Sequence, residues 1–152
     1  MLRVLIISLI VLLAFNFCNP CQRNISNRQI LADSILKLDM SLSAFGVEFD
    51  SFPSIDAYID FVIDSSYCTK SYYNPVIKGS TYHLSGIEIK KILILLEKAD
   101  LVKLKSEYTI GATDQPTSTT IIYTNKRKFV FKDYGLQGEY PLKELYKIVY
   151  KF

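Results

Sequence analysis

The sequence predicts a two-layer α+β domain, an antiparallel sheet of four or five strands with two helices packed on one face. Apolar residues alternate with a period of two from Leu36 onward, a capped apolar helix opens at Ser85, and a hairpin-like pair of strands precedes a C-terminal stretch with helical spacing. In the first strand Leu36, Leu38, Met40, Leu42 and Ala44 fall on one side and Lys37, Asp39, Ser41 and Ser43 on the other, the pattern of a half-buried strand. Gly46 lets the chain bend and Phe52-Pro53-Ser54 restarts it.

Residues 55–64 fit two periods. Ile55, Ala57, Ile59, Phe61 and Ile63 fit a strand; Ile55, Tyr58, Ile59, Val62 and Ile63 fit a helix, with Asp56, Asp60 and Asp64 four apart. Their β-branched and aromatic content and the Asp64-Ser65-Ser66 turn signal favour the strand. Residues 67–73 then return it, closed by Asn74-Pro75.

Ser85-Gly86-Ile87-Glu88 is a capping box, in which the serine hydroxyl can accept from the Glu88 amide while the Glu88 carboxylate reaches back. Ile89, Ile92, Leu93, Leu96 and Ala99 form the apolar stripe, widened by Ile94 and Leu95, with Lys90, Lys91, Glu97 and Lys98 outward. So wide a stripe reads as core packing rather than as a membrane surface. Residues 101–108 lead into a polar loop at 109–118, and 119–124 and 128–134 read as a hairpin turned at Asn125. Gly135 and Gly138 break that pattern, Pro141 suits a first helical position, and Leu142, Leu145, Tyr146, Val149 and Phe152 give the final helix.

Eleven Tyr and nine Phe with no Trp coincide with the alternating segments, so sheet faces and core account for most of them. Setting aside residues 1–18 leaves 134 residues, enough for one domain. Lys plus Arg falls from 18 to 17 while all 15 acids remain, a near balance that argues against nucleic acid as a partner. Lys126, Arg127, Lys128, Lys132, Lys143, Lys147 and Lys151 read as a solvated hairpin tip and outer helix face, with a weak contact to anionic lipid or polymer as the alternative. Three cysteines make no disulfide framework. Cys18 and Cys21 form a C-x-x-C without the strand–helix context of a redox motif, and Cys68 is expected as a free, partly buried thiol, a Cys21–Cys68 bridge being the alternative.

Arg3, an apolar run at 4–17 interrupted only by Ser8 and Asn16, and then Cys18 make an export or anchoring signal. As a helix, residues 2–17 would span about 24 Å, short of a bilayer core of about 30 Å. Cys18 after this stretch resembles a bacterial lipoprotein signal, in which that cysteine is acylated; an uncleaved, tilted anchor is the alternative. The organisation expected is a signal or anchor at 1–18, a polar tether at 19–34 and a single α+β domain at 35–152.

Lys78-Gly79-Ser80-Thr81-Tyr82, the capped helix, residues 101–108, Thr113-Asp114-Gln115-Pro116-Thr117, Asp133-Tyr134-Gly135 and the final helix, in that order and spacing, resemble domain of unknown function 6438. This is a bacterial family found in exported proteins and lipoproteins. The resemblance is best over 78–152 and looser over 36–77. Members commonly show Cys-Phe-Gly-x-Cys-Pro in the first hairpin, whereas Ala44-Phe45-Gly46-Val47-Glu48-Phe49 keeps Phe-Gly and lacks both cysteines. The resemblance implies an envelope location and this order of elements, and it implies no activity.

The residues offer little chemistry. His83 is the one histidine and has no cysteine partners for a zinc site. No serine stands in a nucleophile turn, and the six glycines form no phosphate loop. No catalytic, cofactor-binding or metal residue is therefore assigned. A polar loop on a rigid scaffold is the best recognition candidate: Asp114, Gln115 and Thr117, with Tyr108 and Tyr134 nearby. Turn chemistry at Asp114 and Pro116 is the structural alternative. These features predict a monomeric, non-catalytic binding module of the bacterial cell envelope, in the periplasm or at the cell surface. It would be membrane-attached through its N-terminus and would bind an envelope protein or polymer rather than nucleic acid. The alternatives are a small hydrolase using Asp114, Asp133 and Glu107, or a secreted inhibitor or immunity-type protein.

Overall fold

The computed structural model describes residues 33–44 and 51–151, all within one compact unit, Asp33–Phe152. Cys18 and Cys21, the apolar N-terminal run, the tether up to residue 32, positions 45–49 of the first hairpin and Phe152 lie outside the described residues.

Seven strands form one sheet: β1 (Ile35–Ser43), β2 (Pro53–Asp60), β3 (Ser65–Tyr72), β4 (Ser80–Tyr82), β5 (Glu107–Thr109), β6 (Thr117–Thr124) and β7 (Lys128–Tyr134). Helix α1 (Gly86–Lys98) follows β4 and helix α2 (Leu142–Val149) follows β7. The spatial order is β4-β3-β2-β1-β6-β7-β5. Every pairing is antiparallel except that of β5 with β7, which is parallel. The expected four- or five-stranded antiparallel sheet is thus corrected to a seven-stranded mixed sheet, and the domain is mostly β. The added strands, β4 and β5, have three residues each, too few to show a period. Each is an edge strand, held by its neighbour's ladder rather than by a pattern of its own.

The register sorts the side chains. Leu38, Met40 and Leu42 stand opposite Ile59, Ala57 and Ile55 of β2 and opposite Ile122, Thr120 and Ser118 of β6, and all nine are buried. Ile89, Ile92 and Leu96 of α1 and Leu142, Leu145, Tyr146 and Val149 of α2 join them in one core on this inner face. The strand reading of 55–60 holds. Beyond it, Asp60 accepts hydrogen bonds from the Val62 and Ile63 amides (2.9 and 3.4 Å), turning the chain, so Val62 and Ile63 are exposed turn residues rather than strand residues.

In α1 the capping box forms: the Glu88 amide donates to Ser85 Oγ (3.3 Å) and the Ser85 amide to Glu88 Oε2 (2.7 Å). Its buried line is Ile89, Ile92 and Leu96, while Ile94 is 47% exposed, so the stripe is narrower than its apolar content suggests. Pro141 is the cap residue preceding α2, one position before the first helical turn expected for it. The Tyr146 and Tyr150 rings stack at 5.6 Å, and their hydroxyls reach Asp133 Oδ2 (2.8 Å) and Ser118 Oγ (2.7 Å). Burial pushes both phenols well above the usual tyrosine range. Cys68 is a free thiol on the inner face, and burial raises its pKa as well.

Candidate functional site

Successive strand residues face opposite ways, so each buried residue of the inner face leaves its neighbours on the outer face. Lys37 and Asp39 of β1, Tyr58 and Asp60 of β2, Tyr67 of β3 and Tyr123 of β6 share that outer face. Asp39 stands opposite Tyr58, Tyr58 opposite Tyr67, and Lys37 opposite both Asp60 and Tyr123. With Ile59, Ser65 and Ser66 they line a shallow cleft of about 500 Å³. Tyr58 and Tyr67 are each about half exposed, at 54% and 49%, although both are large aromatics at strand centres.

The cleft holds one ion pair, Lys37 with Asp60, and a second carboxylate, Asp39, that accepts from a phenol. Lys37 Nζ lies 3.3 Å from Asp60 Oδ2. Burial raises the Asp60 carboxyl, but the Val62 amide, the Lys37 ammonium and the Ile63 amide outweigh it and hold the group below the usual carboxylate range. Tyr123 donates its hydroxyl to Asp39, which raises the phenol, with burial adding to the shift. The Lys128 ammonium sits 5.7 Å from the centre of the Tyr123 ring. At the rim His83 meets Tyr67 edge-on, its Nδ1 directed at the Ser66 carbonyl, a structural use of the one histidine. Aromatic rings set among paired, hydrogen-bonding charges can hold a polar ligand with little net charge.

The predicted recognition residues are partly brought together. Thr117 pairs with Tyr134 across β6 and β7, on the outer face, and the Gln115 amide donates to the Tyr134 hydroxyl (3.3 Å). The Gln115 side chain donates to the Thr113 carbonyl (3.2 Å), and the Gly135 amide to the Pro116 carbonyl (2.9 Å). Asp114 is exposed in this loop, as are its neighbours Ala112 and Thr113, and lies in the left-handed region at φ 58°. Tyr108 stands apart. It packs against the core, donates to Glu139 Oε1 (2.9 Å) and accepts from the Lys105 amide (3.2 Å). Cys18 lies outside the described residues.

The three carboxylates of the hydrolase reading do not converge. Asp133 is buried on the inner face, where Oδ1 accepts from the Gln137 amide (2.7 Å) and Oδ2 from the Gly138 amide (2.6 Å) and the Tyr146 hydroxyl (2.8 Å). Asp114 is in the exposed loop, and Glu107 is exposed on edge strand β5 opposite Lys132. Among the described residues no three of His, Cys, Asp or Glu cluster as metal ligands.

The tyrosine cleft is absent from the sequence-level candidates. Its one signal was the polar side of the alternation, Lys37 and Asp39, but its aromatic members come from strands far apart in the chain. Over residues 49–152 the chain matches the family model described as domain of unknown function, DUF6438. It belongs to that family. The DUF6438 match runs from ahead of β2 through α2, so it takes in Tyr58, Tyr67, Tyr123 and the Asp114 loop, while Lys37 and Asp39 on β1 precede it. Comparison with curated proteins and with solved structures returned no match.

Proposed function

We propose that the chain is a non-catalytic binding module of the bacterial cell envelope, monomeric and membrane-attached through its N-terminus, that holds a neutral glycan polymer on the outer face of its sheet. The observation that carries this reading is the cleft on that face, in which Tyr58, Tyr67 and Tyr123 surround the Lys37–Asp60 ion pair and the Asp39 carboxylate. The flat, CH-rich faces of sugar rings stack on aromatic rings, while carboxylate, ammonium and phenol groups satisfy the hydroxyls at the ring edges. A cleft lined by two aspartates and one lysine favours a neutral polymer over an anionic one.

The ligand is extended rather than compact. From Tyr123 at the cleft to Thr117 beside Tyr134, β6 covers about 20 Å at roughly 3.3 Å per residue. The Asp114 loop therefore borders the far end of the same face and can fix the polymer's position along it.

Co-sedimentation of the full chain with insoluble cell-wall glycan tests the reading. Tyr58→Ala with Tyr67→Ala should reduce retention by about tenfold or more, since stacked aromatics supply the contact area. Asp114→Ala should reduce it less, and added salt should leave it nearly unchanged. Equal retention of the wild-type and double-variant chains would overturn the proposal. So would capture of a protein, rather than glycan, through the same tyrosines.

A further inference from the structure

We infer that the outward side of α1 is a membrane-contact surface that rests on a bilayer containing anionic lipid. At about 100° of rotation per residue, Ile87, Ile94 and Lys98 lie within roughly 40° of one another, flanked by Lys90 and Lys91. The buried line Ile89, Ile92 and Leu96 lies on the opposite side of the helix. Ile87 is 82% exposed and Ile94 47%, and with Leu95 and Tyr140 they border a groove of about 460 Å³. Fold stability does not explain two isoleucines held in water at the centre of a helix surface.

Charge complementarity names the occupant. Lys90, Lys91 and Lys98 form no ion pair in the described structure, which leaves their ammonium groups open to an anionic partner. Glu97 is the acid of α1 nearest the patch, and Glu144 of α2 is ion-paired with Lys147 and feels the Lys91 ammonium only at longer range. Apolar side chains at the centre with unpaired lysines beside them match a lipid interface. The isoleucines enter the acyl boundary and the lysine stems lie along it, with their ammonium groups among anionic headgroups.

Chain length supplies the proximity. If the apolar run at 4–17 holds the membrane, the fifteen residues from Cys18 to Ala32 can span at most about 50 Å. That keeps the domain at high effective concentration beside the surface, so a weak patch suffices. With α1 against lipid, the outer sheet face, on the other side of the molecule, points away from the membrane. The inference does not depend on what that sheet face holds.

The chain has no Trp, so Ile94→Trp introduces a unique reporter at the centre of the patch. The full-length variant is reconstituted into phosphatidylcholine vesicles with and without phosphatidylglycerol, their acyl chains brominated to quench indole fluorescence. Strong quenching and a blue shift are expected with phosphatidylglycerol, much weaker without it. Most of the quenching should be lost on Lys90→Glu, Lys91→Glu and Lys98→Glu together. Tyr67→Trp on the opposite face should remain unquenched throughout. An unquenched Trp at position 94 in both vesicle types would overturn the inference, as would equal quenching at positions 67 and 94. Cross-linking of the patch to a protein in place of lipid quenching would overturn it as well. Glycan retention is a separate readout, so either proposal can fail alone.

Discussion

Asp133 brings a carboxylate into the inner face of the sheet, where two backbone amides and the Tyr146 hydroxyl meet it. Gly138 permits this approach, because a Cβ there would lie 2.8 Å from Asp133 Oδ2 and 2.9 Å from the Leu142 Cβ. Asp133→Asn keeps the shape but points an amide group, itself a donor, at donors. It should lower the unfolding free energy by about 2 kcal/mol, read from urea titration with an unchanged slope. Thr120 is the opposite case: its hydroxyl is fully buried on β6, opposite Met40 and Phe131, without a hydrogen-bond partner among the described residues. Thr120→Val should raise stability by about 1 kcal/mol in the same titration, and a loss would show the hydroxyl to be satisfied. Neither role was legible in the sequence. Asp133 stands there only as a carboxylate of the hydrolase alternative and Thr120 only within a hairpin strand, since burial is decided by what packs from elsewhere.

At the scale of elements, α1 links its own cap to the end of the chain. Glu88 accepts from the Lys151 ammonium (2.5 Å) and from the Ser85 amide, and these bonds, Lys151 first, hold its carboxyl at about 2. Because the folded pKa lies below the ordinary value of 4.5, the contribution of Glu88 is complete above about pH 4.5. It is lost as pH falls toward 2. Glu88→Gln keeps an acceptor for the cap but loses the ion pair, so thermal melts from about pH 6 to about pH 2 should show a flatter acid slope than wild type. The cap, the α1 core line and the strands β1, β2, β3, β6 and β7 were all legible, because period, turn signals and capping depend on neighbours a few residues away. The two three-residue edge strands were not, and with them went the strand count and the one parallel pairing.

At the scale of the whole molecule, the two faces of the sheet have different fates. The inner face is closed by both helices, and Cys68 lies within it. Its thiol should resist alkylation in the native protein and react only on unfolding, as read by peptide mass mapping of the Cys68 segment. Rapid native labelling would show that the helical layer opens. Among the described residues no helix covers the outer face, which gathers Tyr58, Tyr67, Tyr123 and Asp39. The sequence by itself determined the local elements, the capped helix, the near-neutral charge and the family resemblance, because each rests on residues close together or on composition. Only the tertiary structure decided that the sheet has seven strands, that Asp133 is a buried anchor and that the tyrosines meet. Those outcomes depend on register between segments remote in the chain, where a shift of one residue would turn every side chain of a strand to the other face.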